Sequence, residues 1–345
     1  MNKAIPVCFV ATPNFTGQLA VAIASLASNT KSDLELHILE CDVPEDDLRI
    51  IHNMCGEYGN IKSIKVYPVD NKQFIGMAKW QGCYAHWARF LFPELAKNVK
   101  KGIYLDCDVV IMNDIKQLYD YDLDGFAVAA APEIKHMGQN NIKLREEKQK
   151  LFGYSDNHVY FCSGVLIFDC EKWRGQKLAD KIYEIGKRRG DELGFPDQDA
   201  LNILFADNYK VIENSLASTS TDVLYLERDN LELWQKMQKR MIVRHYVGFK
   251  PWISNDPITL VDNKGQQVPH LENFWYYAQK TPYFGYFLYK AICSVKGPAK
   301  ETEHAKEKII YKLFGIIPLV KISHSFVRLF GIIPLIRINK KSKAL

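Results

Sequence analysis

The chain has 345 residues, of which 47% are hydrophobic and 25% are charged, and these values are typical of one large globular domain with an appendage. Its net charge of +5 comes from the C-terminal tail. Residues 308–345 hold eight Lys or Arg and no Asp or Glu, whereas the rest of the chain holds 37 basic and 40 acidic residues. The near-neutral body argues against nucleic acid as a partner, and the sequence contains no apolar run as long as a membrane-spanning helix needs.

The N-terminal third alternates predicted strands and helices. Apolar runs predict strands at Ile5–Ala11, Leu34–Leu39 and Ile61–Tyr67, with helices at Gly17–Ser28 and Pro44–Cys55 between them. This alternation predicts an α/β fold with a mostly parallel, Rossmann-like sheet flanked by helices. Such sheets bind ligands at the carboxyl ends of their strands, which is where Thr12–Phe15 follows the first strand.

The middle of the chain continues the same pattern. We predict a helix over Tyr84–Leu95, short strands at Phe126–Ala131 and Tyr160–Phe168, a polar lid or excursion over Lys135–Lys150, helices that open at Glu171 and Asp197, and a strand at Met241–Tyr246. Carboxylates at the start of a helix, such as Asp197 and Asp199, suit the positive end of its dipole.

Two carboxylates interrupt an otherwise apolar stretch, Gly102–Ile111. Alternate residues of an extended chain share a face, so Asp106 and Asp108 are expected to point the same way and Cys107 the opposite way. Two like charges beside a buried strand are costly unless a cation neutralises them. The sequence therefore favours a divalent metal here, although an acidic turn between two strands is the alternative.

His245 is the candidate third ligand, because it ends a predicted strand and is followed by Gly248 and Lys250. Glycine lets the backbone approach a phosphate closely, and lysine offers it a point charge. Two carboxylates, one imidazole and phosphate oxygens make a mixed oxygen and nitrogen donor set that suits Mn²⁺ or Mg²⁺ better than zinc.

With these motifs in order, residues 5–255 resemble glycosyltransferase family 8, the retaining enzymes that include bacterial lipopolysaccharide glucosyl- and galactosyltransferases. The resemblance is carried by Thr12–Phe15, Tyr84–Leu95, Tyr104–Asp108, Phe161–Phe168 with Trp173, Asp197–Asn202 and His245–Trp252. It implies a GT-A type fold and an enzyme that moves glucose or galactose from a UDP-sugar to a lipopolysaccharide core or another glycan or glycolipid acceptor, assisted by a metal.

The resemblance also implies a role for each matching residue. Asp106, Asp108 and His245 hold Mn²⁺ or Mg²⁺ against the UDP diphosphate, and Gly248 and Lys250 contact phosphate. The donor sugar is lined by Arg89, Asp197 and Gln198, which form the catalytic set, and uridine is bordered by Ala11, Thr12, Asn14 and Phe15. Cys107 and Cys162 complete the expected donor site.

Several positions depart from the family pattern. Thr12 and Pro13 stand where relatives often carry Asp, Cys162 and Ser163 replace Asn-Ala before Gly164, and Glu133 stands where Asp is common. These changes leave the donor sugar open. They also keep two alternatives in view: an inactive, UDP-sugar-binding membrane scaffold, and a nucleotidyltransferase that uses the same paired carboxylates.

Retention of configuration allows two chemical routes. The transition state is oxocarbenium-like, and negative charge develops on the UDP leaving group. One route uses Asp197 or Gln198 as a covalent nucleophile, but an amide oxygen is a poor one. We favour front-face attack, in which the departing phosphate oxygen accepts the proton of the acceptor hydroxyl.

The C-terminal tail contains an internal repeat. Leu313–Leu319 recurs identically at Leu329–Leu335, sixteen residues later, and each copy is followed by basic residues. We predict a catalytic domain over residues 1–275 and, over 276–345, a helical, basic region in short segments that binds an anionic membrane surface. Docking of the tail on the catalytic domain is the alternative.

The expected location follows from the cysteines and the acceptor together. The eight cysteines form neither a CxxC pair nor a zinc spacing, which is typical of buried thiols in a reducing compartment. A lipopolysaccharide acceptor is held in a membrane. We therefore expect a cytoplasmic protein that lies peripherally on the cytoplasmic face of the inner membrane.

Overall fold

A computed structural model describes residues 4–133, 142–155, 158–219, 230–248, 250–252, 270–294, 309–313, 317–323, 326–329 and 333–337. The chain divides into two compact units. The first comprises residues 1–251 with 268–288, and the second comprises residues 252–267 with 289–345.

The described strands of the first unit are β1 (Ile5–Ala11), β2 (Leu34–Glu40), β3 (Ile61–Pro68), β4 (Lys101–Leu105), β5 (Val109–Ile111), β6 (Val128–Pro132), β7 (Phe161–Asp169), β8 (Lys210–Val211), β9 (Ala217–Thr219) and β10 (Val243–His245). Seven of them form one sheet in the order β3-β2-β1-β4-β7-β6-β8. Within it β7 runs antiparallel to β4 and β6, and the other neighbours are parallel. The predicted mostly parallel sheet is confirmed.

The described helices are α1 (Thr16–Asn29), α2 (Glu45–Cys55), α3 (Phe92–Leu95), α4 (Lys116–Tyr119), α5 (Ile142–Phe152), α6 (Cys170–Gly175), α7 (Leu178–Arg189), α8 (Pro196–Phe205), α9 (Leu231–Arg240), α10 (Leu271–Ala278) and α11 (Phe284–Ser294). Short 3-10 helices lie at Pro13–Phe15, Asn71–Phe74, Ala85–Leu91 and Gly190–Glu192. These helices flank the sheet, as the alternating sequence pattern predicts.

The centre of the fold is the pair β1 and α1. Nearly every residue of β1 is buried, as expected of a central parallel strand that is covered on both faces. Helix α1 is buried from Thr16 to Ala27. Tyr277, Tyr283 and Phe287, in or beside α10 and α11, cover part of its surface. A methyl group on Gly17 would lie 2.9 Å from the Phe287 ring, and the Asn29 amide donates a hydrogen bond to the Tyr277 hydroxyl at 2.6 Å.

A smaller sheet lies beside the large one, in the order β5-β10-β9. The chain leaves the large sheet at Leu105 and enters the small one at Val109. The segment Asp106–Asp108 is therefore the passage between two sheets. A strand on either side of this segment was predicted and is confirmed, but no local pattern indicates that the second strand belongs to another sheet.

Two predicted elements need correction. The helix expected over Tyr84–Leu95 is mainly a 3-10 helix, Ala85–Leu91, followed by the single turn α3. Pro93 has no N–H to complete an α-helical bond at this point. The strand expected at Phe126–Ala131 spans Val128–Pro132. The polar stretch Lys135–Lys150 includes most of helix α5, and residues 134–141 lie outside the described residues.

The tail forms strands where we expected short helical segments. Strands β11 (Ile309–Leu313), β12 (Ile317–Ser323), β13 (Phe326–Leu329) and β14 (Ile333–Arg337) make an antiparallel sheet. Each repeat copy spans a strand pair, with Leu313 opposite Ile317 in one and Leu329 opposite Ile333 in the other. Pro318 and Pro334 sit beside irregularities of register, where a missing ladder donor is tolerated.

Among the described helices, none combines the length and the apolar character needed to cross a bilayer.

Candidate active site

Asp106, Asp108 and His245 converge although 137 residues separate Asp108 from His245. Their candidate ligand atoms all lie within 4.8 Å of one another. The small sheet brings them together, because β10 pairs with β5 so that His245 is opposite Val109, and the Tyr246 amide donates to the Asp108 carbonyl at 3.0 Å. His245 Nε2 lies 3.1 Å from Asp108 Oδ1 and 3.5 Å from Asp106 Oδ2.

Lys250 completes the charge arrangement around Asp108. Its ammonium donates hydrogen bonds to Asp108 Oδ2 and, at 2.7 Å, to the Tyr246 carbonyl. Burial alone would raise the pKa of Asp108, but Lys250 and His245 outweigh it and hold that pKa far below its usual range. Burial would lower the pKa of His245, yet the neighbouring Asp108 raises it well above its ordinary value.

Arg89 links the carboxylates at the two ends of the site. Its Nη1 lies 3.1 Å from Asp106 Oδ1, and its Nε lies 3.2 Å from Asp197 Oδ2. Only 6% of Arg89 is exposed, so these ion pairs are buried and differ from an ordinary surface pair. Burial would lower the pKa of its guanidinium, but Asp106 and Asp197 raise that pKa well above its ordinary value, so the charge is permanent.

Gln198, in the first turn of α8, is fixed at both ends of its amide. Its Oε1 accepts a hydrogen bond from the Ser163 amide at 3.0 Å, and its Nε2 donates to Glu133 Oε2 at 2.7 Å. A carboxylate can only accept, so the nitrogen faces Glu133 and the oxygen faces Ser163. Asp197 is also engaged, because its Oδ2 accepts from the Ser163 hydroxyl at 2.8 Å.

Behind Gln198 lies a buried polar cluster that ties helix α5 to helix α8. The Lys148 ammonium forms an ion pair with Asp199, and the Tyr160 hydroxyl donates to Asp199 Oδ1 at 2.6 Å. Gln198 Nε2 in turn lies 3.2 Å from the Tyr160 oxygen. Asp199 is fully buried, so Lys148 supplies the countercharge that makes this burial tolerable.

Gly164 and Cys162 border the far side of His245. The Gly164 carbonyl accepts a hydrogen bond from the Asp106 amide at 2.9 Å, and a methyl group on Gly164 would lie 2.2 Å from His245 Cε1. The Cys162 sulfur lies 3.7 Å from His245 Nδ1. Burial raises the pKa of the Cys162 thiol.

The remaining predicted residues are Ala11, Thr12, Asn14, Phe15, Cys107 and Gly248. Ala11 ends β1, and Thr12, Asn14 and Phe15 follow it in and beside the 3-10 helix Pro13–Phe15. The Cys107 thiol donates to the Val10 carbonyl at 3.1 Å, so it is directed to β1, as the alternation of side chains predicts. Gly248 has φ +79°, a left-handed conformation that favours glycine.

Sequence reasoning missed several residues of the site. Tyr104 donates to Asp106 Oδ1 at 2.6 Å, and its position two residues before Asp106 on one strand was an available signal. For Asp199 the sequence predicted only a carboxylate at the start of a helix. Tyr160 and Lys148 carried no signal, because nothing local indicates that they meet Asp199 and Gln198.

The donor chemistry of the cluster fits a divalent cation. Two carboxylates and an imidazole offer ligand atoms that all lie within 4.8 Å of one another, and this set suits Mn²⁺ or Mg²⁺. Asp106, Asp108 and His245 are therefore the residues that would hold such an ion.

The part of the chain that holds this site is similar to known proteins. Residues 6–256 match the family model "Glycosyl transferase family 8". The general stress protein A of Bacillus subtilis is 27% identical over 257 residues, covering 71% of this chain and 86% of the relative. A lipopolysaccharide 1,2-glucosyltransferase of Escherichia coli K12 is 25% identical over 260 residues, covering 73% of each chain.

Among solved structures, the galactosyltransferase LgtC in complex with donor and acceptor sugar analogues superposes with a TM-score of 0.66 at 23% identity. The match covers 81% of this chain and 96% of LgtC. This likeness confirms the GT-A type α/β fold that the sequence pattern and the resemblance predicted.

Proposed function

The chain belongs to glycosyltransferase family 8, and from that premise we propose that it is a retaining, metal-dependent hexosyltransferase. Membership implies a nucleotide-sugar donor and a glycan acceptor. The donor we propose is UDP-glucose or UDP-galactose, and the acceptor is a lipopolysaccharide core or a related glycolipid. The observation that carries the proposal is the convergence of Asp106, Asp108 and His245 with Lys250 on Asp108.

The cluster suits departure of a nucleoside diphosphate. Breaking the sugar–phosphate bond develops negative charge on the leaving oxygen, and fixed cations in a water-poor site offset that charge. A divalent ion held by Asp106, Asp108 and His245 would supply Lewis-acid stabilisation of the diphosphate. Lys250 adds a positive charge beside the cluster, and in this proposal its ammonium shifts from Asp108 to a phosphate oxygen when the diphosphate binds.

The contacts of Asp197 and Gln198 favour front-face transfer over a covalent intermediate. The Gln198 oxygen is occupied by the Ser163 amide, and Asp197 is engaged by Arg89 and by the Ser163 hydroxyl. An oxygen that accepts a hydrogen bond or pairs with a guanidinium is a weaker nucleophile, because its electron density is drawn to the donor. In the route we propose, the acceptor hydroxyl attacks from the side of the leaving group and passes its proton to the departing phosphate oxygen.

We extend the proposal to the tail and to location. Basic residues among large aliphatic ones are typical of segments that bind anionic membrane surfaces. A peripheral position on the cytoplasmic face of the inner membrane would bring the site close to a membrane-held acceptor.

The experiment is a UDP-release assay with the purified full chain, Mn²⁺, a panel of UDP-hexoses and lipopolysaccharide core acceptors. We expect UDP release that requires both acceptor and metal, and NMR of the product identifies the linkage. Asp108→Ala is expected to abolish release, with the far-UV circular dichroism spectrum unchanged.

Other outcomes would point to the alternatives. UDP binding without release for every donor would overturn the enzyme proposal and favour a binding scaffold, for which the unusual Thr12 and Cys162 are the motive. Release of pyrophosphate in place of UDP would favour nucleotidyl transfer.

A further inference from the structure

Trp80 is a large aromatic residue that the fold leaves 42% exposed. A single exposed apolar residue is common on a protein surface, so the exposure of Trp80 assigns no role by itself. The question is what Trp80 faces and how firmly it is held.

The backbone around Trp80 is a tight hairpin. Trp80 and Cys83 exchange both backbone hydrogen bonds at 3.0 Å. Gln81 and Gly82 between them have φ of +49° and +81°, the pattern of a type I′ turn. The segment just before this turn is anchored, because the buried indole of Trp87 donates a hydrogen bond to the Ala78 carbonyl at 2.9 Å. Trp80 therefore stands on an ordered support.

The Trp80 ring rests on a residue that leads directly into the catalytic set. Its centroid lies 5.4 Å from that of Phe195. Phe195 precedes helix α8, its amide donates to Asp199 Oδ2 at 2.8 Å, and Asp197 is two residues further on. The buried side of Phe195 is fixed by the Lys148 ammonium, 5.2 Å from the ring centroid.

A continuous series of contacts connects Trp80 to the charged groups of the site. Contacts run from the metal-ligand cluster through Asp106 to Arg89, from Arg89 to Asp197, and from the start of α8 to Phe195 and Trp80. The diphosphate-binding groups are at one end of this path and the exposed ring is at the other. In between lie the residues proposed to line the donor sugar.

We propose that Trp80 is a stacking platform for a sugar ring of the acceptor glycan, and this inference rests on the proposed glycosyl transfer. A pyranose presents C–H groups on one face, and an indole offers them a flat apolar surface with a negative electrostatic potential. The ring orients the acceptor beside Asp197, and the support from Phe195 sets its tilt.

The test compares Trp80→Ala and Trp80→Tyr with Ile75→Ala in the full chain. Ile75 is a matched control, because it is 64% exposed on the same segment and its substitution also removes exposed apolar surface. We expect Trp80→Ala to raise the KM for the acceptor by about tenfold, the loss of one aromatic contact. The KM for the donor and the slow hydrolysis of UDP-sugar without acceptor should change less than about twofold.

Trp80→Tyr should retain most of the acceptor affinity, and Ile75→Ala all of it. An unchanged acceptor KM in Trp80→Ala would overturn the proposal. Equal losses on the donor and acceptor sides would also overturn it, because they would mean that Trp80 only supports α8.

A binding measurement keeps the inference testable if the proposed function fails. Methyl glucoside, methyl galactoside and a lipopolysaccharide core oligosaccharide are titrated against wild type and variants by saturation-transfer NMR. Binding that is lost in Trp80→Ala and kept in Trp80→Tyr supports a glycan platform even without turnover. Equal binding by wild type and Trp80→Ala, or no binding by wild type, rejects it.

Discussion

At the scale of single residues, Gly164 has the most demanding environment in the site. A methyl group there would lie 2.2 Å from His245 Cε1, 2.6 Å from His245 Nδ1 and 2.8 Å from Asp106 Oδ2. Real Cβ contacts are not that short, so Gly164→Ala must displace His245 or Asp106. We expect Mn²⁺ affinity to fall by about tenfold to a hundredfold, as for other changes that disturb ligand orientation, measured by isothermal titration.

Gly175→Ala is the matched control for this substitution, because no atom lies within 4 Å of the position that its methyl group would take. It should leave metal affinity and activity unchanged. If Gly164→Ala bound Mn²⁺ like wild type, the proposed ligand cluster would be wrong.

What the sequence could predict at this scale depends on locality. Asp106 and Asp108 were predictable because their spacing of two puts them on one face of an extended chain. The prediction of His245 as a ligand depended on Gly248 and Lys250, which follow it in the sequence. The network of Tyr160, Ser163 and Lys148 could not be predicted, because its members meet through pairing and packing of elements that are distant in sequence.

At the scale of elements, helix α5 is tied to α8 by one buried ion pair. The side chain of Asp199 is 1% exposed and that of Lys148 is 11% exposed. Lys148→Met leaves the carboxylate without its countercharge, which costs about 3–5 kcal/mol for a buried pair. We expect a loss of this order in urea unfolding, and lower kcat because Asp199 and Tyr160 also support Gln198.

The double variant Lys148→Met with Asp199→Asn separates charge from packing. It removes the unpaired carboxylate and should recover part of the lost stability. Lys150→Met is the control on the same helix, since Lys150 is exposed and should tolerate the change. Lys148→Met with unaltered stability would contradict the structural role given to this pair.

The elements that sequence patterns predicted well are the long, regular ones. Strands β1 to β3 and helices α1 and α2 follow apolar periodicity, and their order determined the parallel sheet. The small sheet was not predictable as such, because β5, β9 and β10 have three residues each. A strand was predicted at Met241–Tyr246, but strands this short do not indicate their partners, and the pairing of β10 with β5 is what brings His245 to Asp108.

At the scale of the whole molecule, buried neutral histidines make stability depend on pH. Burial lowers the pKa of His37, His86 and His270 to about 4. Their ordinary pKa is about 6.5, so between about pH 4 and 6.5 the unfolded chain binds protons that the folded chain does not. The free energy of unfolding should therefore rise with pH in this window, by up to about 1.4 kcal/mol per pH unit for each histidine.

His245 acts in the opposite sense at higher pH. Its folded pKa is raised, so its contribution to stability is complete below about pH 6.5 and is lost as pH rises through the folded value. Urea unfolding of metal-free protein from pH 4.5 to 8.5 should thus give maximal stability near pH 6.5. A stability that falls steadily from pH 4.5 to 6.5 would contradict the neutral state of the three histidines.

The composition of the tail predicts its character but not its secondary structure. Its aliphatic and basic character was read correctly from the sequence, but its secondary structure was not. Gly and Pro suggested interrupted helices, whereas the β-branched residues and the tolerance of Pro318 and Pro334 beside register irregularities produced strands. The repeat is therefore a repeated strand pair.

The register of that sheet provides a specific test of the membrane proposal. Lys321 and Arg328 are register partners on neighbouring antiparallel strands, so the sheet places two basic residues at adjacent positions. Replacing both with Gln in the full chain should weaken co-sedimentation with vesicles of anionic phosphatidylglycerol, since each basic residue near such a surface contributes about 1 kcal/mol.

The exposed pair Lys31 and Lys97 is the control, because its replacement removes the same net charge from the first unit. Equal losses from both pairs would indicate attraction by net charge alone, and no loss from either would reject membrane binding through the tail. A loss confined to Lys321 and Arg328 would support the strand pairs as the membrane-binding surface.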